Sequence, residues 1–209
     1  MSNHSLIDLG VSPVIPVITF HDLDHVTPLI TTLAEAGLTT CEITLRSDVG
    51  VEAIKLASSI GPEIRVGAGT VTSYEQASAA VSGGATFLVS PGFSSDLVDN
   101  TRQLGAPLIP GVATASELQH AITCGIDTVK VFPIEHIGGL GLIKSFAAVW
   151  PQMNFLPTGG ISLDTAPSYL QHPSVIAVGG SWMIPSDAIE REDWDAIALL
   201  ARQASQLRR

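Results

Sequence analysis

The 209-residue sequence is short of charged side chains, and above all of positive ones. Asp, Glu, Lys and Arg together make up 14% of the chain, well below the share of about a quarter that is usual for globular proteins. Lys and Arg number 10 against 20 Asp and Glu, which gives a formal net charge of -10. Nucleic acids and anionic membrane surfaces bind clustered basic side chains, so we expect neither as a partner. A small anionic substrate fits if backbone amides or a few focused cations bind it.

Cysteine is scarce too, since Cys41 and Cys124 form neither a disulfide framework nor a CxxC metal motif. The segment HDLDH at 21–25 has two histidines four apart but lacks the glutamate of the HExxH zinc motif. We therefore expect no metal, and reduced thiols in a cytoplasmic protein. The first residues lack the basic and apolar regions of a secretory signal. No apolar run is long enough to span a bilayer, so no membrane is expected as a partner.

Short β-branched segments alternate with amphipathic ones at intervals of roughly 20–25 residues, the length of one βα unit with short loops. The predicted strands are Val14–Thr19, Thr40–Leu45, Ile64–Ala68, Phe87–Ser90, Leu108–Ile109, Thr128–Phe132, Asn154–Leu156 and Val175–Val178. The helical patterns that can be located between them are Leu23–Ala36, Tyr74–Val81, Ser94–Leu104, Thr114–Cys124 and Leu140–Val149.

Capping residues and glycines mark the ends of these helices. The predicted N-caps are Asp22, Ser73, Ser94, Thr114 and Ser162, and Glu117 follows Thr114 at the spacing of a capping box. The predicted C-terminal stops are Gly37, Gly61, Gly83, Gly105 and Gly125. Eight βα units favour a single domain over residues 1–209, a (β/α)8 TIM barrel with minimal loops and an N-terminal helical extension. An open doubly wound sheet is the alternative, but no GxGxxG follows the first strand.

Lys130 is the most informative of the three lysines. Lys55 and Lys144 lie in helix-like segments with polar neighbours, where an amine can point into water. Lys130 lies inside the apolar strand Thr128–Phe132, where loss of hydration is costly for a charged group. It must therefore pair with a buried acid or give up its proton and act as a nucleophile.

Strand alternation predicts the neighbours of this amine. Glu42 and Arg46 share one face of the second strand and its extension, and Lys130 and Phe132 share one face of the sixth. Functional side chains of barrels stand at the C-terminal ends of the strands, so Glu42, Arg46 and Lys130 are expected to converge in one cavity. The alternatives are a purely structural ion pair of Glu42 with Lys130, and a surface position for Arg46.

Glycine pairs follow the seventh and eighth strands, at Gly159–Gly160 and Gly179–Gly180. Barrels commonly bind phosphate there through backbone N–H groups, and Ser181 adds a hydroxyl donor. Small residues at 67–69 are expected to leave room for a ligand beside Thr70, whose alternative role is to cap the next helix. Phosphate bound by amides also suits a chain with so few cations.

In this order, these motifs resemble the bacterial 2-keto-3-deoxy-6-phosphogluconate (KDPG) aldolase / 4-hydroxy-2-oxoglutarate (KHG) aldolase family over almost the whole chain. The segments that carry the resemblance are EITLR (42–46), GAGTV (67–71), SPG (90–92), LIPG (108–111), KVFP (130–133), PTGGIS (157–162) and GGSW (179–182). The segment 134–139 departs from the family pattern, and Ser47 stands where a threonine is common. These departures leave the fine substrate preference open.

The resemblance implies a class I aldolase on a (β/α)8 barrel, a homotrimer that uses no metal or other cofactor. Its Schiff-base lysine falls on Lys130 and its general acid/base on Glu42. The implied substrate-binding positions are Arg46 and Thr70 for the carboxylate, with Pro91, Phe132 and Thr158. The implied phosphate-binding positions are Gly159, Gly160, Gly180 and Ser181. The implied substrate is a phosphorylated keto-deoxy sugar acid, cleaved to pyruvate and glyceraldehyde 3-phosphate, and its C4 epimer and hydroxyoxoglutarate stay open as substrates.

The lysine needs a neutral form to react, and an ionised Glu42 opposes this. We therefore predict that Glu42 is protonated, or separated from Lys130 by water, in the free enzyme. Three other functions are compatible with a strand lysine or a phosphate site. They are a pyridoxal phosphate enzyme, a non-catalytic phosphosugar-binding protein and a non-covalent phosphate-binding barrel enzyme.

Overall fold

Strands and helices alternate through residues 12–207, the part of the chain that the computed structural model describes. The strands are β1 (Val14–Ile18), β2 (Thr40–Thr44), β3 (Arg65–Gly69), β4 (Phe87–Val89), β5 (Leu108–Ile109), β6 (Gly111–Val112), β7 (Thr128–Val131), β8 (Asn154–Pro157) and β9 (Val178–Gly180). The helices are α1 (Val26–Glu35), α2 (Gly50–Ser58), α3 (Tyr74–Ser82), α4 (Ser95–Thr101), α5 (Ala115–Thr123), α6 (Gly139–Val149), α7 (Ala166–Leu170), α8 (Ser186–Glu190) and α9 (Trp194–Ser205). The predicted N-terminal helical extension lies outside the described residues.

The strands form two parallel sheets, which makes this an α/β fold. Six strands pair in the order β5-β4-β3-β2-β1-β9, and three pair in the order β6-β7-β8. Pro110 separates β5 from β6, because proline has no N–H to donate to a strand ladder. Isolated bridges join Phe155 to Val175 and Thr158 to Gly179. These bridges connect β8 with β9 and the residues before it, and Pro110 joins β5 to β6 along the chain.

The apolar side chains fall into two clusters. The larger one fills the space between the strands and the helices, where both α1 and α2 bury one face. The smaller one consists of Ile15, Phe87, Val89, Ile109, Leu156, Ile176 and Ala177, which come from four strands and from the residues before β9. Nearly every strand residue is buried, as expected for parallel strands that are covered on both faces.

Seven of the predicted strands are confirmed to within one residue at each end. The eighth, predicted at Val175–Val178, is wrong in position, because β9 runs from Val178 to Gly180. Val175 forms only an isolated bridge with Phe155, and the regular ladder begins where Val178 pairs with Val14 of β1. The apolar residues 175–178 indicated a buried segment, but the strand continues through Gly179 and Gly180, which carry no apolar side chain to indicate it.

Three predicted helix caps are confirmed, since the side chains of Ser73, Ser94 and Thr114 each accept a hydrogen bond from a backbone N–H. Asp22 is not a cap, because α1 begins only at Val26 and Asp22 accepts from the N–H of Asp24 in the preceding turn. Ser162 is not the N-cap of α7 either, because that position belongs to Thr165.

The predicted helix Ser94–Leu104 ends earlier as an α-helix, at Thr101, and continues as a 3-10 turn over Arg102–Leu104. The helix predicted at Leu23–Ala36 begins three residues later than predicted, at Val26. The predicted stops Gly37, Gly105 and Gly125 have the left-handed backbone that ends a helix readily. The other two also follow helix ends closely, with Gly83 as the C-cap of α3.

Within residues 12–207, no helix combines the length and the apolar character needed to cross a membrane. The cytoplasmic location stays a prediction.

The capping box of α5 is complete. Thr114 Oγ1 accepts from the N–H of Glu117, and the Glu117 carboxylate accepts from the N–H groups of Ala113 and Thr114. The bond from Ala113 is the main reason why the pKa of Glu117 lies below its usual 4.5. A carboxylate with a lowered pKa stabilises the fold above its unfolded pKa, and this contribution is lost as the pH falls through the folded value.

Replacement of Thr114 by Ala should lower the free energy of unfolding by about 1 kcal/mol, because the N–H of Glu117 loses its acceptor. Urea unfolding at neutral pH measures the change. Thr123→Ala is the matched control at the other end of α5, where the hydroxyl bonds only the carbonyl of Gln119. We expect its effect to stay within about 0.5 kcal/mol. Equal losses for the two variants would contradict a specific role for the cap.

Candidate active site

Lys130 and Glu42 are in direct contact. In the ladder, Lys130 of β7 lies opposite Gly111 on one side and Leu156 on the other. Its Nζ lies 3.2 Å from Oε1 of Glu42, and the two side chains are only 8% and 1% exposed. The predicted convergence of these two residues is confirmed. The water-separated arrangement that we predicted as one alternative is wrong, because the two side chains reach each other across the inside of the fold with no gap between them.

The second carboxylate oxygen of Glu42 is free. Oε2 is buried and has no hydrogen-bond partner among the described residues. Buried polar atoms are nearly always paired, and an unpaired one costs free energy. The unused Oε2 can accept a proton or bind a ligand, which fits a chemical role for Glu42. Whether Glu42 is protonated stays a prediction.

Gly69 supplies the space that Glu42 occupies. A Cβ at Gly69 would overlap Oε1 of Glu42 and would lie 2.6 Å from its Cγ. Two residues earlier on the same face, a Cβ at Gly67 would overlap the ring of Phe87. The expectation that the small residues at 67–69 leave room for a ligand is therefore wrong at these two positions, because protein side chains already fill the space.

Arg46 and Thr70 follow the ends of two neighbouring strands, β2 and β3. Thr44 and Gly69 are the last paired residues of β2 and β3, and the N–H of Leu45 donates to the carbonyl of Gly69 over 2.8 Å. Thr70 has a left-handed backbone with φ of 59°. Such a conformation costs a β-branched residue about 1–3 kcal/mol. Thr70 is not the helix cap, since Ser73 takes that role.

Two threonines bind the guanidinium of Arg46, and the sequence prediction missed this role for both. Nη2 donates to Thr19 Oγ1 over 2.8 Å, and Nε donates to Thr44 Oγ1 over 3.3 Å. The two hydroxyl oxygens lie 2.7 Å apart. Arg46 is exposed, as the alternative surface assignment expects, but its position is fixed. Strand alternation places Thr44 between Glu42 and Arg46 on one face, and this was the available signal for it.

Phe132 lies beside the amine, and Pro91 lies near the strand that pairs with Lys130. The ring of Phe132 is 39% exposed, and its centroid lies 5.4 Å from Nζ of Lys130. The carbonyl of Pro91 packs so closely against Gly111 that a Cβ there would overlap it. Because Gly111 pairs with Lys130, Pro91 lies one strand away from the amine. Both predicted residues are therefore close to the site.

The predicted phosphate-binding residues lie at the ends of two neighbouring strands. Thr158 follows β8 and bridges to Gly179 of β9, so Gly159–Gly160 and Gly180–Ser181 continue from adjacent positions. Gly159 and Gly160 have φ of 100° and 83°, and together they form what we call the glycine turn. Gly160 and Ser181 are exposed. The structure brings the five predicted positions, Thr158 included, to one edge of the sheet.

The segment that follows Lys130 in the chain forms hydrogen bonds with the glycine turn. The N–H groups of Ile134 and Glu135 donate to the carbonyls of Thr158 and Gly159 over 2.9 and 3.2 Å. The carboxylate of Glu135 accepts from the hydroxyl of Tyr169 over 2.8 Å. Burial, and then the bond to Glu135, raises the pKa of Tyr169, so the hydroxyl keeps its proton. The sequence prediction missed Glu135 and Tyr169, which are distant in the chain and match no motif.

Among residues 12–207, no three His, Cys, Asp or Glu side chains gather in a way that could hold a metal ion. Of the two histidines of HDLDH, His25 lies 3.7 Å from Glu192 and packs on Trp194. The absence of a metal from the chemistry stays a prediction.

These groups suit the chemistry of a keto acid. A buried amine can attack a carbonyl, and the adjacent carboxylate can move protons with its free oxygen. The guanidinium of Arg46 can bind a carboxylate, and the glycine turn can offer backbone N–H groups to a phosphate.

Comparison with known proteins agrees with this arrangement. The family model described as KDPG and KHG aldolase matches residues 8–200. A 2-dehydro-3-deoxy-phosphogluconate aldolase of Dickeya dadantii is 41% identical over 94% of this chain and 92% of its own.

Solved structures agree as well. The KDPG aldolase of Zymomonas mobilis ZM4 with 3-phosphoglycerate is 38% identical, with a TM-score of 0.94 over 100% of this chain and 98% of its own. The KDPG aldolase of Legionella pneumophila, with pyruvate captured as a covalent carbinolamine intermediate, is 39% identical. Its TM-score is 0.90 over 93% of this chain and 94% of its own.

Gly69→Ala should lower kcat by roughly 100-fold or more, because the new methyl group displaces the carboxylate that moves protons beside Lys130. Steady-state turnover of a 2-keto-4-hydroxy acid measures the loss, and circular dichroism checks that the fold is retained.

Gly141→Ala is the matched control for Gly69→Ala. A Cβ at this position in α6 meets no atom within 4 Å. It should leave kcat unchanged and raise the free energy of unfolding by roughly 0.4–1 kcal/mol. Full activity in Gly69→Ala would show that the position of Glu42 does not matter.

Proposed function

The chain belongs to the KDPG and KHG aldolase family, and from that premise we propose that it cleaves KDPG to pyruvate and glyceraldehyde 3-phosphate through an imine on Lys130. It is a class I aldolase, a carbon–carbon lyase. The observation that carries the assignment of residues is the buried contact of the Lys130 amine with Glu42, whose second oxygen is unpaired.

Lys130 must be neutral to attack a ketone, and its contact with Glu42 provides a route. Over 3.2 Å the proton can pass from Nζ to Oε1, which turns a pair of ions into an amine and a carboxylic acid. The net charge of the pair does not change, so the site keeps no unpaired buried charge.

The amine then attacks C2 of the substrate, and a proton passes from its nitrogen to the new alkoxide to give a carbinolamine. Glu42 returns its proton to the carbinolamine hydroxyl, which leaves as water, and this gives an iminium and an ionised Glu42. Glu42 takes the proton of the C4 hydroxyl, the C3–C4 bond breaks, and its electron pair moves into the enamine and neutralises the nitrogen. Glyceraldehyde 3-phosphate leaves. The enamine takes a proton at C3, and water releases pyruvate and the free amine. The iminium is the electron sink, so the reaction needs neither a metal nor an organic cofactor.

Arg46 and Thr70 bind the carboxylate of the keto acid. The guanidinium keeps donors free beyond its two bonds to threonine, and these can bind a carboxylate with charge assistance. Thr70 forms no hydrogen bond with other described residues, so both its hydroxyl and its N–H are available to the second oxygen. Its strained backbone fits this role, because strain of this kind gathers at ligand sites.

The phosphate binds at Gly159, Gly160, Gly180 and Ser181. Gly160 and Ser181 are exposed and can supply a backbone N–H and a hydroxyl at one edge of the sheet, with Gly159 and Gly180 beside them, and the chain has few cations to use instead. The relative from Zymomonas mobilis with 3-phosphoglycerate supports a site for a three-carbon phosphate. Thr158 lies between the glycine turn and Lys130, where it can contact the hydroxyl groups of the substrate, and Phe132 and Pro91 flank the reacting carbons.

Hydroxyoxoglutarate is a second proposed substrate, because its keto acid half is the same and only the leaving aldehyde differs. Its cleavage gives pyruvate and glyoxylate. The description of the matching family names both activities, which supports the proposal. Steady-state rates with KDPG, its C4 epimer and hydroxyoxoglutarate rank the three substrates.

The proposal extends to the architecture. We propose one closed (β/α)8 barrel domain, supported by the segment Leu108–Val112, whose two halves pair with β4 and β7, and by the bridges between β8 and the β9 segment. We also propose a homotrimer, on the basis of the family resemblance. Analytical ultracentrifugation of the purified protein measures the oligomeric state.

Treatment with pyruvate and borohydride should label Lys130, because reduction of the iminium makes the link permanent. Mass spectrometry of peptides locates the adduct. Lys130→Arg should give no adduct and should abolish cleavage, since a guanidinium forms no imine. Lys55→Arg and Lys144→Arg change the two other lysines of the chain and should leave both the adduct and the activity intact. Retained cleavage in Lys130→Arg would refute the covalent mechanism.

Gly160→Ala should raise KM for KDPG by about tenfold while KM for hydroxyoxoglutarate changes little, since only KDPG carries a phosphate. Gly160 has a φ of 83°, which is strained for alanine, and its new Cβ would lie 2.8 Å from Cβ of Glu135. The glycine turn must therefore shift, and its N–H groups lose their position for the phosphate.

Gly105→Ala has the same left-handed strain at a turn with no atom within 4 Å of the new Cβ. It should lower stability without changing the ratio of the two KM values. If the ratio of the two KM values is also unchanged in Gly160→Ala, the phosphate does not bind at the glycine turn.

A further inference from the structure

We propose that Thr19 is a positioning residue, which with Thr44 holds the Arg46 guanidinium where it can bind the substrate carboxylate. The inference rests on the proposed function, which gives Arg46 that role. Thr19 itself lies just past the end of β1 and is assigned no contact with the substrate.

Arg46 needs such a support because the strand ladder does not reach it. β2 ends at Thr44, and the side chain of Arg46 is long and exposed, so without a hydrogen-bond partner it would be free to rotate. An arginine in water loses side-chain entropy when it is fixed, so a site that fixes it before the substrate arrives binds the carboxylate more tightly. The two threonine hydroxyls provide this fixation.

The support is electrically neutral, and this preserves the charge of the guanidinium. Arg46 forms no ion pair with any acid among residues 12–207, although carboxylates outnumber cations in the chain. A carboxylate partner would position the guanidinium but would also compete with the substrate for its charge. Hydroxyl oxygens accept its N–H groups without neutralising it.

The hydrogen bonds of the three side chains are mutually consistent. If Thr44 donates to Thr19, the Thr19 oxygen accepts from Thr44 and from Nη2, and the Thr44 oxygen accepts from Nε. If Thr19 donates instead, the Thr44 oxygen accepts twice and the Thr19 oxygen once. Neither oxygen exceeds its two acceptor sites in either case. One hydroxyl hydrogen stays free, and Nη1 keeps both of its hydrogens for a ligand.

Both anchors are set by rigid backbone. β1 and β2 pair with Ile18 opposite Ile43, so Thr19 and Thr44 follow as the next neighbours in the same register. Thr44 is buried and pairs with Gly69 on its other side. Because Thr44 shares a strand face with Glu42, the guanidinium is held relative to the same strand that positions the acid beside Lys130.

Thr19→Val tests the proposal, because valine keeps the shape of the side chain and its suitability for a strand end. The half-saturating pyruvate concentration for borohydride labelling of Lys130 should rise by about tenfold, and KM for both KDPG and hydroxyoxoglutarate should rise with it. We expect kcat to change by less than about twofold, since Thr19 holds a binding group and not the acid or the amine. Thr19→Ser should restore wild-type values.

Thr32→Val is the control for a lost threonine hydroxyl elsewhere. Thr32 bonds only the carbonyl of Pro28 within α1, and we expect its KM values to match those of the wild type. A double-mutant cycle with Arg46→Gln gives the sharper result. In that background Thr19→Val should change the pyruvate dependence by less than about twofold, because the group that it positions is gone.

The outcomes separate this inference from the proposed function. Wild-type protein without an adduct on Lys130 would overturn both. Normal labelling in the wild type, with unchanged pyruvate dependence in Thr19→Val, would overturn only the role of Thr19. The same follows if Thr19→Val raises KM equally with and without Arg46, or if Thr32→Val matches its effect, since the loss would then be a general effect on the fold.

Discussion

The buried contact between the Lys130 amine and the Glu42 carboxylate is the interaction on which the rest of the site depends. Both groups lose their hydration, which costs free energy, and the surrounding structure offsets this cost. Two strands on different sheets bring the two groups within hydrogen-bond distance. Gly69 has no side chain, so the carboxylate fits beside it. A pair of this kind is a poor source of stability, because well-packed apolar residues would serve equally well. Its presence, with one carboxylate oxygen unpaired, is explained by reactivity.

Neutral groups surround this pair and the other ligand-binding positions. Threonine hydroxyls hold Arg46, Gly160 of the glycine turn is exposed, and Phe132 lies against the amine. The anionic substrate is thus expected to meet one free guanidinium and many dipoles. This explains how a chain with a net charge of -10 can recognise a ligand with a carboxylate at one end and a phosphate at the other.

The sequence was enough for most of the strands and for the pairing of Lys130 with Glu42, because period-two alternation and apolar strands are local patterns. It could not give the geometry that depends on contacts between distant segments. The space beside Gly69 is filled by a side chain from β2, and the glycine turn is braced by Tyr169 from α7. For the same reason β9 was misplaced, since its ladder is defined by pairing with β1 and its glycines have no apolar signal.

The backbone that follows Lys130 also braces the glycine turn, through the N–H groups of Ile134 and Glu135. One short segment therefore carries the proposed nucleophile at its start and supports the proposed phosphate site at its finish. The separation between the two is set by main-chain hydrogen bonds, which stretch far less than flexible side chains do. With both ends fixed in this way, we expect the site to select substrates by length, so that a sugar acid one carbon longer or shorter binds less tightly.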